Sequence, residues 1–335
     1  MSHIRPAVGE FNLIDTFFRR TRQARQDIQL GIGDDCALLD VPAGYQLAVT
    51  TDTMVEGVHF FTDVAPRALA EKLVAVNLSD LAAMGAEPAW LSLALTLPRY
   101  DEDWLSEFSA GLHGMCQYFH CGLVGGDTTR GPLSLTLTAH GLVPNGQALL
   151  RSGAKPGDWL YVSGELGDAG LALGALQQRF QLDQAHLTSA RKQLETPYPQ
   201  VALGQALRGI ASACIDISDG LIADLGHLLR ASKVGAQLSL EQLPLSLALT
   251  ESVDFDQALS LALTAGDDYQ LCFTVPEAQR TVLETSLSHT GAKPVCIGRI
   301  TSAHERSPTL QLRLHGEPYA LPTNLGFNHF QQAAR

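Results

Sequence analysis

The sequence predicts a mixed α/β protein built from two domains, and three observations support that prediction. The chain has 335 residues, roughly twice the length of a common domain. Through both halves, segments with the alternation of a β-strand are interspersed with segments that have the apolar spacing of a helix. A stretch rich in turn residues, 144–158, interrupts this order near the middle. We therefore expect one domain over residues 1–148 and a second over residues 149–335.

The first half contains the patterns of three strands and two helices. Alternating or nearly continuous apolar residues predict strands at 45–51, 90–97 and 133–143. A first helix begins at Pro66, since proline suits a first helical turn, and ends near Gly85. A second helix is expected at 103–119, after a proline turn.

The second half repeats this mixture after the turn-rich stretch. Its predicted elements, in chain order, are a strand at 159–163, helices at 168–180, 198–213 and 219–232, and strands at 236–241, 269–275 and 295–300. No repeat of fixed period is present in the sequence. Both domains are therefore expected to combine helices with strands.

Composition excludes several classes of function. The chain carries 35 acidic and 23 basic residues, a formal net charge of −12, and no run of like charge, which argues against nucleic-acid binding. It has no apolar stretch of about 18 residues and no signal-peptide pattern at its start, so we expect a cytoplasmic protein without a membrane partner. Its six cysteines form no CxxC pair and its eleven histidines no HExxH motif, which argues against a zinc site.

Carboxylates recur beside glycines and near the ends of predicted strands. In chain order they are Asp34, Asp35, Asp52, Asp127, Asp216, Asp219, Asp267 and Asp268. Each of them alone is explained by ordinary turn or capping chemistry. Their repetition in one chain indicates a shared cation.

Asp80 is the acid that turn chemistry does not explain. It lies four residues after Val76 and seven after Leu73, on the apolar face of the helix that begins at Pro66. A buried carboxylate is costly unless hydrogen bonds or a cation compensate it. Asn77, one turn earlier, offers a purely structural partner, and a shared cation is the alternative.

Oxygen ligands alone favour a hard cation, above all Mg²⁺, which completes its shell with water and phosphate oxygens. Glycines at Gly125, Gly126 and in SGELGDAG bring backbone amides within reach of phosphate. The sequence has no Gly-Lys-Ser/Thr triplet, so a P-loop is excluded. Arg130 and Arg151 are the candidate phosphate-binding arginines, with exposed arginines of no special role as the alternative.

Eight motifs in a fixed order resemble the thiamine-monophosphate kinase family. They are GEFNLI, GIGDDCALL, TTDTMVEGVHF, NLSDLAAMGAEP, GGDTTRGPL, RSGAKPGDWLYVSG, IDISDGLIADLGHL and GDDYQLCF. The resemblance covers nearly the whole chain, from Gly9 to about Phe330. It implies the two-domain fold of the aminoimidazole ribonucleotide synthetase-like superfamily, and a homodimer in which the N-terminal sheets meet. It also implies that residues 1–148 bind ATP and Mg²⁺ and that residues 149–335 complete the ATP and substrate site.

The resemblance further implies roles for individual residues. The implied Mg²⁺ ligands are Asp35, Thr50, Thr51, Asp52, Asp80, Asp127, Asp216 and Asp219. The implied ATP contacts are Gly125, Gly126, Arg151 and Ser218. The implied substrate contacts are His59, Asp267 and Phe327. A hydrogen-bonded structural role is the alternative for His59.

Three positions depart from the pattern that the family resemblance leads us to expect. Where the family often reads GGEDYE, this chain reads AGDDYQ, so Ala265, Asp267 and Gln270 stand in place of Gly, Glu and Glu. Phe327 stands where Tyr or Trp is usual, which preserves ring stacking but removes a polar group. Thr50 replaces a frequent Ser and keeps the hydroxyl oxygen.

The activity implied by the resemblance is ATP-dependent phosphorylation of thiamine monophosphate to thiamine diphosphate, the last step of thiamine diphosphate biosynthesis. Transfer would be direct and Mg²⁺-assisted, with Asp52, Asp127 and Asp219 acting through metal and with no general base or nucleophile, because the acceptor phosphate is already largely ionised at pH 7. Two alternatives remain open: a related enzyme of the superfamily with another acceptor, and a non-catalytic Mg-nucleotide binding protein.

Overall fold

The computed structural model describes residues 9–19, 25–287, 290–303 and 309–327. The chain divides into two compact units. The first comprises Met1–Leu81 with Glu87–Asn145, and the second comprises Ala82–Ala86 with Gly146–Arg335. Both units combine helices with β-sheet, so the expected mixed α/β class is confirmed.

The first unit is organised around a four-stranded sheet. Its elements are α1 (Glu10–Leu13), a π-helical turn (Ile14–Phe18), β1 (Ile28–Leu30), β2 (Leu38–Leu39), β3 (Tyr45–Val55), α2 (Pro66–Ala83), β4 (Glu87–Leu97), α3 (Glu102–Tyr118), β5 (Gly122–Arg130) and β6 (Ser134–Pro144). The strand order of the sheet is β3-β6-β4-β5. Strands β4 and β5 are parallel and α3 connects them, whereas the other neighbours are antiparallel. Strands β3 and β5 are thus the two edges.

Alternation along β6 explains how this sheet is built. Leu135, Leu137 and Ala139 are fully buried, whereas Thr136 and Thr138 between them are partly exposed, so one face packs into a core and the other is open. Helix α2 is almost completely buried along its length, and α3 begins with Asp101, whose side chain accepts a hydrogen bond from the Trp104 amide.

Strand β3 is longer than the pattern at 45–51 predicts. It continues to Val55, with Asp52 paired to Leu137 of β6, so Asp52 lies within the strand and not at its end. The predicted end was wrong because Asp52 was taken to terminate the strand, so residues 53–55 were not counted. Threonine is a good strand former, and cross-strand Thr51–Thr138 and Thr53–Thr136 hydroxyl pairs support the pairing here.

The second unit contains a seven-stranded sheet. Its elements are β7 (Trp159–Val162), α4 (Asp168–Leu176), α5 (Gln184–Glu195), α6 (Val201–Ala206), β8 (Ala213–Ile217), α7 (Leu221–Ser232), β9 (Val234–Ser239), a 3-10 turn (Leu240–Gln242), α8 (Leu247–Ser252), α9 (Phe255–Thr264), β10 (Gln270–Val275), a 3-10 turn (Glu277–Gln279), α10 (Arg280–Ser286), β11 (Val295–Ser302), β12 (Leu310–Leu314) and β13 (Glu317–Tyr319). The strand order is β13-β12-β9-β11-β7-β10-β8.

Apolar side chains from this sheet and two helices form the main core of the second unit. Leu160, Ile215 and Leu238 of the strands are buried together with Leu225 of α7 and Leu259 of α9. A second cluster joins α4, α5, α8 and α9. Helix α7 follows β8 directly, so the residues between them lie at the end of a strand and the start of a helix, as in many phosphate-binding sites.

The helix predicted over 198–213 is wrong for most of its length. Only Val201–Ala206 is helical, and Ala213–Ile217 is strand β8, buried at every position. The helix ends early because residues 207–210 form a turn in which Gly209 has φ +72°. Strand β8 was missed because a short, continuously apolar segment has no alternation by which a buried strand could be recognised. Within the described ranges, no helix is both long and apolar enough to cross a membrane.

Candidate active site

In the first unit, a pair of acids from different elements lies close together. Asp52 of β3 and Asp80 of α2 interact electrostatically, and burial, followed by the charge of Asp80, raises the pKa of Asp52 to about 6. The Thr50 hydroxyl, on the same face of β3 as Asp52, donates a hydrogen bond to the Asp80 carboxylate. Thr50, Asp52 and Asp80 therefore form one oxygen-rich group.

Asn77 adds a further oxygen to the helix face that bears Asp80. It is fully buried, and its Nδ2 donates to the Leu73 carbonyl at 3.0 Å. Its Oδ1 has no hydrogen-bond partner among the described residues. Because Asn77 and Asp80 are three residues apart on α2, they lie on the same side of the helix. Carboxylate, hydroxyl and amide oxygens together are the donor set that suits Mg²⁺.

Thr51 and Asp127 do not join this group on the same chain. Thr51 faces the opposite side of β3, where its hydroxyl lies 2.9 Å from that of Thr138. Asp127 belongs to β5, the other edge strand, and is exposed. Three strand spacings separate β3 from β5, so Asp52 and Asp127 are about 14 Å apart along the sheet, at roughly 4.8 Å per strand.

The glycines before Asp127 lie in a strand and not in a turn. Gly126 has φ +147°, and a Cβ at this position would lie only 1.8 Å from the Leu93 carbonyl oxygen of β4. Glycine is therefore required for β5 to approach β4 so closely. Gly125 and Gly126 leave the backbone open beside Asp127, as a phosphate contact would need.

His59 forms a local hydrogen-bonded turn with Val55. The Val55 amide donates to His59 Nδ1 at 3.0 Å, and the His59 amide donates to the Val55 carbonyl at 3.0 Å. Since Nδ1 accepts a hydrogen bond, the proton of the neutral ring is on Nε2. The ring thus has a structural bond on one side and a hydrogen-bond donor on the other.

Asp35, another predicted ligand, is exposed and lies between β1 and β2. Its amide donates a hydrogen bond to Asp34 Oδ1 at 2.9 Å.

In the second unit, the backbone amides of the segment that follows β8 donate hydrogen bonds to a single carboxylate. Asp224 Oδ2 accepts hydrogen bonds from the amides of Ser218, Asp219 and Gly220 at 3.0, 2.9 and 3.2 Å. Burial raises the pKa of Asp224 to about 6 in spite of these bonds. Asp216 precedes this segment in β8 and is buried, whereas Ser218 and Asp219 are partly exposed.

The carbonyl side of the same segment is bonded to the predicted substrate residues. The Asp267 amide donates to the Ser218 carbonyl at 2.8 Å, and the Phe327 amide donates to the Asp219 carbonyl at 3.0 Å. The Tyr269 hydroxyl also donates to Asp267 Oδ1 at 2.9 Å. Backbone hydrogen bonds of the second unit therefore bring together four predicted site residues that are far apart in sequence: Ser218, Asp219, Asp267 and Phe327.

Positive and negative charges act on His227 of α7. Burial and then the charges of Arg230 and Arg151 lower the pKa of His227, and Asp219 acts in the opposite direction. Arg151 is exposed, and its carbonyl accepts a hydrogen bond from the Ser232 hydroxyl at 2.9 Å. Sequence reasoning did not single out His227 and Arg230; their spacing of three residues on α7, which places them on one side of the helix, was the available signal.

The described residues contain no group of three or more His, Cys, Asp and Glu side chains placed to hold a metal ion. Within the first unit, the predicted ligands Thr50, Asp52 and Asp80 lie together and Asp127 lies on the far edge of the same sheet; Asp216 and Asp219 belong to the second unit. As sites for metal, ATP and substrate, the individual residues stay predictions.

Comparison with known proteins identifies the family. The family AIR synthase related protein matches with its N-terminal domain at residues 33–143 and with its C-terminal domain at residues 155–311. Thiamine-monophosphate kinase of Escherichia coli (strain K12) is 52% identical over 325 residues, which are 97% of this chain and 99% of that protein. The chain belongs to the thiamine-monophosphate kinase family. The family expected from the eight ordered motifs is confirmed.

Solved structures of thiamine-monophosphate kinases share the fold. The enzyme from Stenotrophomonas maltophilia K279a superposes with a TM-score of 0.80 at 46% identity, covering 85% of this chain and 92% of that one. AaThiL complexed with AMPPCP and TMP superposes with a TM-score of 0.74 at 28% identity, covering 86% of this chain and 89% of that one. The expected aminoimidazole ribonucleotide synthetase-like fold is thereby confirmed.

Proposed function

We propose that this protein is a thiamine-phosphate kinase, which transfers the γ-phosphoryl group of ATP to thiamine monophosphate and releases ADP and thiamine diphosphate. The observation that carries the proposal is 52% identity over nearly the full length of a protein named thiamine-monophosphate kinase. The similar AaThiL structure holds AMPPCP and TMP, a pair that fits ATP and the acceptor. We place the enzyme in the cytoplasm, as its composition suggests.

The acceptor determines what the protein must supply. A phosphate monoester has a second pKa of about 6, so at pH 7 it is already largely ionised and needs no general base. The main barrier is repulsion between two polyanions. Mg²⁺, when bound, supplies charge compensation between the two phosphates. Thr50, Asp52 and Asp80 would hold it in the first unit, and Asp216 and Asp219 in the second.

Other side chains would position the substrates. Arg151 is exposed and, like Asp219, acts electrostatically on His227, so it fits a contact to ATP phosphate oxygens. Ser218 directly precedes Asp219 in the chain segment that follows β8. His59 would donate from Nε2 to an anionic group, because its Nδ1 is occupied by the Val55 amide. Phe327, half exposed, would stack on the thiamine moiety, and Asp267 would bind its polar edge.

A homodimer would unite the acids that one chain keeps apart. Asp52 and Asp127 lie on opposite edges of one sheet. Edge β3 also exposes apolar side chains, with Tyr45 at 41%, Leu47 at 44% and Val49 at 56% exposure, which is unusual for a solvated edge. Pairing of two copies would cover this strand and bring β5 of one copy toward β3 of the other. We propose that each metal site uses Asp52 of one copy and Asp127 of the partner.

The test of the function is a comparison of acceptors. The purified protein is incubated with ATP and Mg²⁺ and either thiamine or thiamine monophosphate, and the products are separated. Thiamine diphosphate formed with stoichiometric ADP, and only from the monophosphate, is the expected result. ATP binding without ADP release would instead indicate a non-catalytic nucleotide-binding protein, and phosphorylation of another acceptor a related enzyme.

A further inference from the structure

Asp224 is a buried acid to which the proposed mechanism assigns no role. It lies in the first turn of α7 with an exposed fraction of 4%. One of its oxygens, Oδ2, accepts from three consecutive backbone amides, those of Ser218, Asp219 and Gly220. An acid that binds three amides in this way acts on the backbone of the segment and not on its side chains.

The opposite side of this segment is held just as closely. The carbonyls of Ile217, Ser218 and Asp219 accept hydrogen bonds from the amides of Tyr269, Asp267 and Phe327 at 2.8, 2.8 and 3.0 Å. Each peptide unit from residue 217 to residue 220 is therefore bonded on both sides. The segment has few ways to shift without breaking several hydrogen bonds together.

Packing at the glycines adds to this restraint. A Cβ at Gly266 would lie 2.4 Å from the Ser218 carbonyl oxygen, and a Cβ at Gly220, which has φ +117°, would lie 2.9 Å from the backbone of Thr264. The backbones on the two sides are thus in direct contact. Because both are held without intervening side chains, a displacement of Ser218 would displace Asp267 as well.

We propose that Asp224 is a positioning residue for phosphoryl transfer: its carboxylate fixes the backbone of residues 218–220, and with it the spacing between Asp219 on one side and Asp267 and Phe327 on the other. The inference rests on the proposed function, in which Asp219 serves ATP and its metal and the other two residues serve the acceptor. In-line transfer is sensitive to such spacing, since a misplacement of about 1 Å can reduce the rate on the order of 100-fold.

The experiment compares Asp224→Ala and Asp224→Asn with a matched control, Asp158→Ala. Asp158 is also a buried acid, with 5% exposure, and it accepts hydrogen bonds from the Lys155 amide at 2.9 Å and the Ser212 hydroxyl at 2.6 Å, outside the proposed site. Both alanine variants should lose stability, because each leaves buried donors unsatisfied. Kinetic constants are then measured per folded molecule, with either ATP or thiamine monophosphate varied.

For Asp224→Ala we expect faster amide hydrogen exchange at residues 218–220, a kcat lower by on the order of 100-fold, and a raised KM for thiamine monophosphate. Asp224→Asn keeps an acceptor oxygen and should recover most of the kcat. Asp158→Ala should retain wild-type kinetics and wild-type exchange at residues 218–220. Amide hydrogen exchange measures the mobility of the 218–220 segment directly, whether or not metal and ATP are bound.

Wild-type kcat and KM in folded Asp224→Ala would overturn the inference, and so would an equal kinetic loss in Asp158→Ala. If Asp224→Ala does not fold, Asp224→Glu takes its place, because the longer side chain keeps the acceptor but shifts it by about one methylene. Wild-type kinetics in that variant would also overturn the inference. Failure of the wild-type protein to form thiamine diphosphate would refute the proposed function instead.

Discussion

At the scale of single residues, the site depends on which oxygen meets which partner. Asp80 was singled out because it interrupts an apolar helix face, and its partner is the Thr50 hydroxyl of a neighbouring strand. Asn77, the partner that helix spacing suggested, uses its amide group on the Leu73 carbonyl. Spacing along one helix indicates which side chains share a face. Which partner Asp80 bonds is decided by the packing of α2 against β3, which brings the Thr50 hydroxyl to the carboxylate.

Replacing Asp52 by Asn should abolish activity and leave the fold intact. The substitution removes the charge that would hold Mg²⁺, so we expect kcat to fall at least on the order of 100-fold. Asp40→Asn is the control, because Asp40 is an exposed acid of the same unit whose side chain binds Gln29 Nε2 at 2.7 Å. Activity is measured as ADP release and folding by circular dichroism. Near-wild-type turnover in Asp52→Asn would contradict the metal assignment.

The same substitution should change how stability depends on pH. The pKa of Asp52 in the folded protein, about 6, lies above its ordinary value of 3.8, so the folded chain binds this proton more tightly than the unfolded chain does. Below about pH 4, Asp52 is protonated in both states and does not lower the free energy of unfolding. As the pH rises from about 4 to 6, ionisation of Asp52 lowers the free energy of unfolding, and above pH 6 this loss is constant. In EDTA, we expect Asp52→Asn and wild type to unfold with equal free energy near pH 4, and the variant to be the more stable at pH 8.

Gln270 stands where the family often has Glu, and its contacts suggest that either residue is tolerated. Gln270 Oε1 accepts from the Ser163 hydroxyl at 2.6 Å and from Gln200 Nε2 at 3.2 Å. A carboxylate would accept both bonds equally well. We expect Gln270→Glu to keep wild-type stability and activity, whereas Gln270→Leu removes the acceptor of the Ser163 hydroxyl and lowers the free energy of unfolding by about 1–3 kcal/mol. Chemical denaturation would show the difference.

At the scale of elements, several predicted acids lie in strands that the sequence did not reveal as strands. Asp127 is in β5 and Asp216 in β8, although glycine neighbours suggested turns. In a sequence, a glycine is equally compatible with a turn and with a close approach of two backbones. At Gly126 the structure shows the second case, because the backbone lies against β4. By contrast, α2 was predicted well because its long apolar face and its terminal glycine are local signals.

The segment after β13 provides a test at this scale. Gly326 has φ +152°, and a Cβ there would lie 2.7 Å from the Asp219 carbonyl oxygen and 2.7 Å from Ala223 Cβ. Gly326→Ala should therefore displace Phe327 and raise the KM for thiamine monophosphate more than the KM for ATP. Gly316→Ala is the control, since Gly316 also has a positive φ, +86°, but open space around its Cβ position. Equal effects of the two variants would show that strain alone is responsible.

At the scale of the whole molecule, the proposed homodimer gives a sharper test than a measured mass. If each site uses Asp52 of one copy and Asp127 of the partner, Asp52→Asn and Asp127→Asn are each inactive. Mixing the two variants after dissociation forms heterodimers that contain one intact site. We expect about a quarter of wild-type activity, because half of the dimers are mixed and half of their sites are complete. If confirmed heterodimers recover no activity, each site uses Asp52 and Asp127 of the same chain, and the proposed arrangement is wrong.

The exposed edge of β3 gives an independent prediction. Val49→Lys places a charge on the edge that we propose to be covered, so the variant should be monomeric and inactive while each chain remains folded. Leu247→Lys is the control, because Leu247 is 67% exposed and belongs to α8 of the second unit. Light scattering and ADP release distinguish the two variants. A dimeric, active Val49→Lys would contradict the proposed interface.

The sequence by itself determined the α/β class and the family, and it suggested the chemistry, because ordered motifs, apolar periodicity and the recurrence of acids beside glycines are local properties of the chain. The tertiary structure decided what those properties could not. Strand pairing separates Asp52 from Asp127 by the width of a sheet, and backbone hydrogen bonds bring Ser218 and Asp219 to Asp267 and Phe327. Contacts between residues distant in sequence depend on register and packing, which no local pattern records.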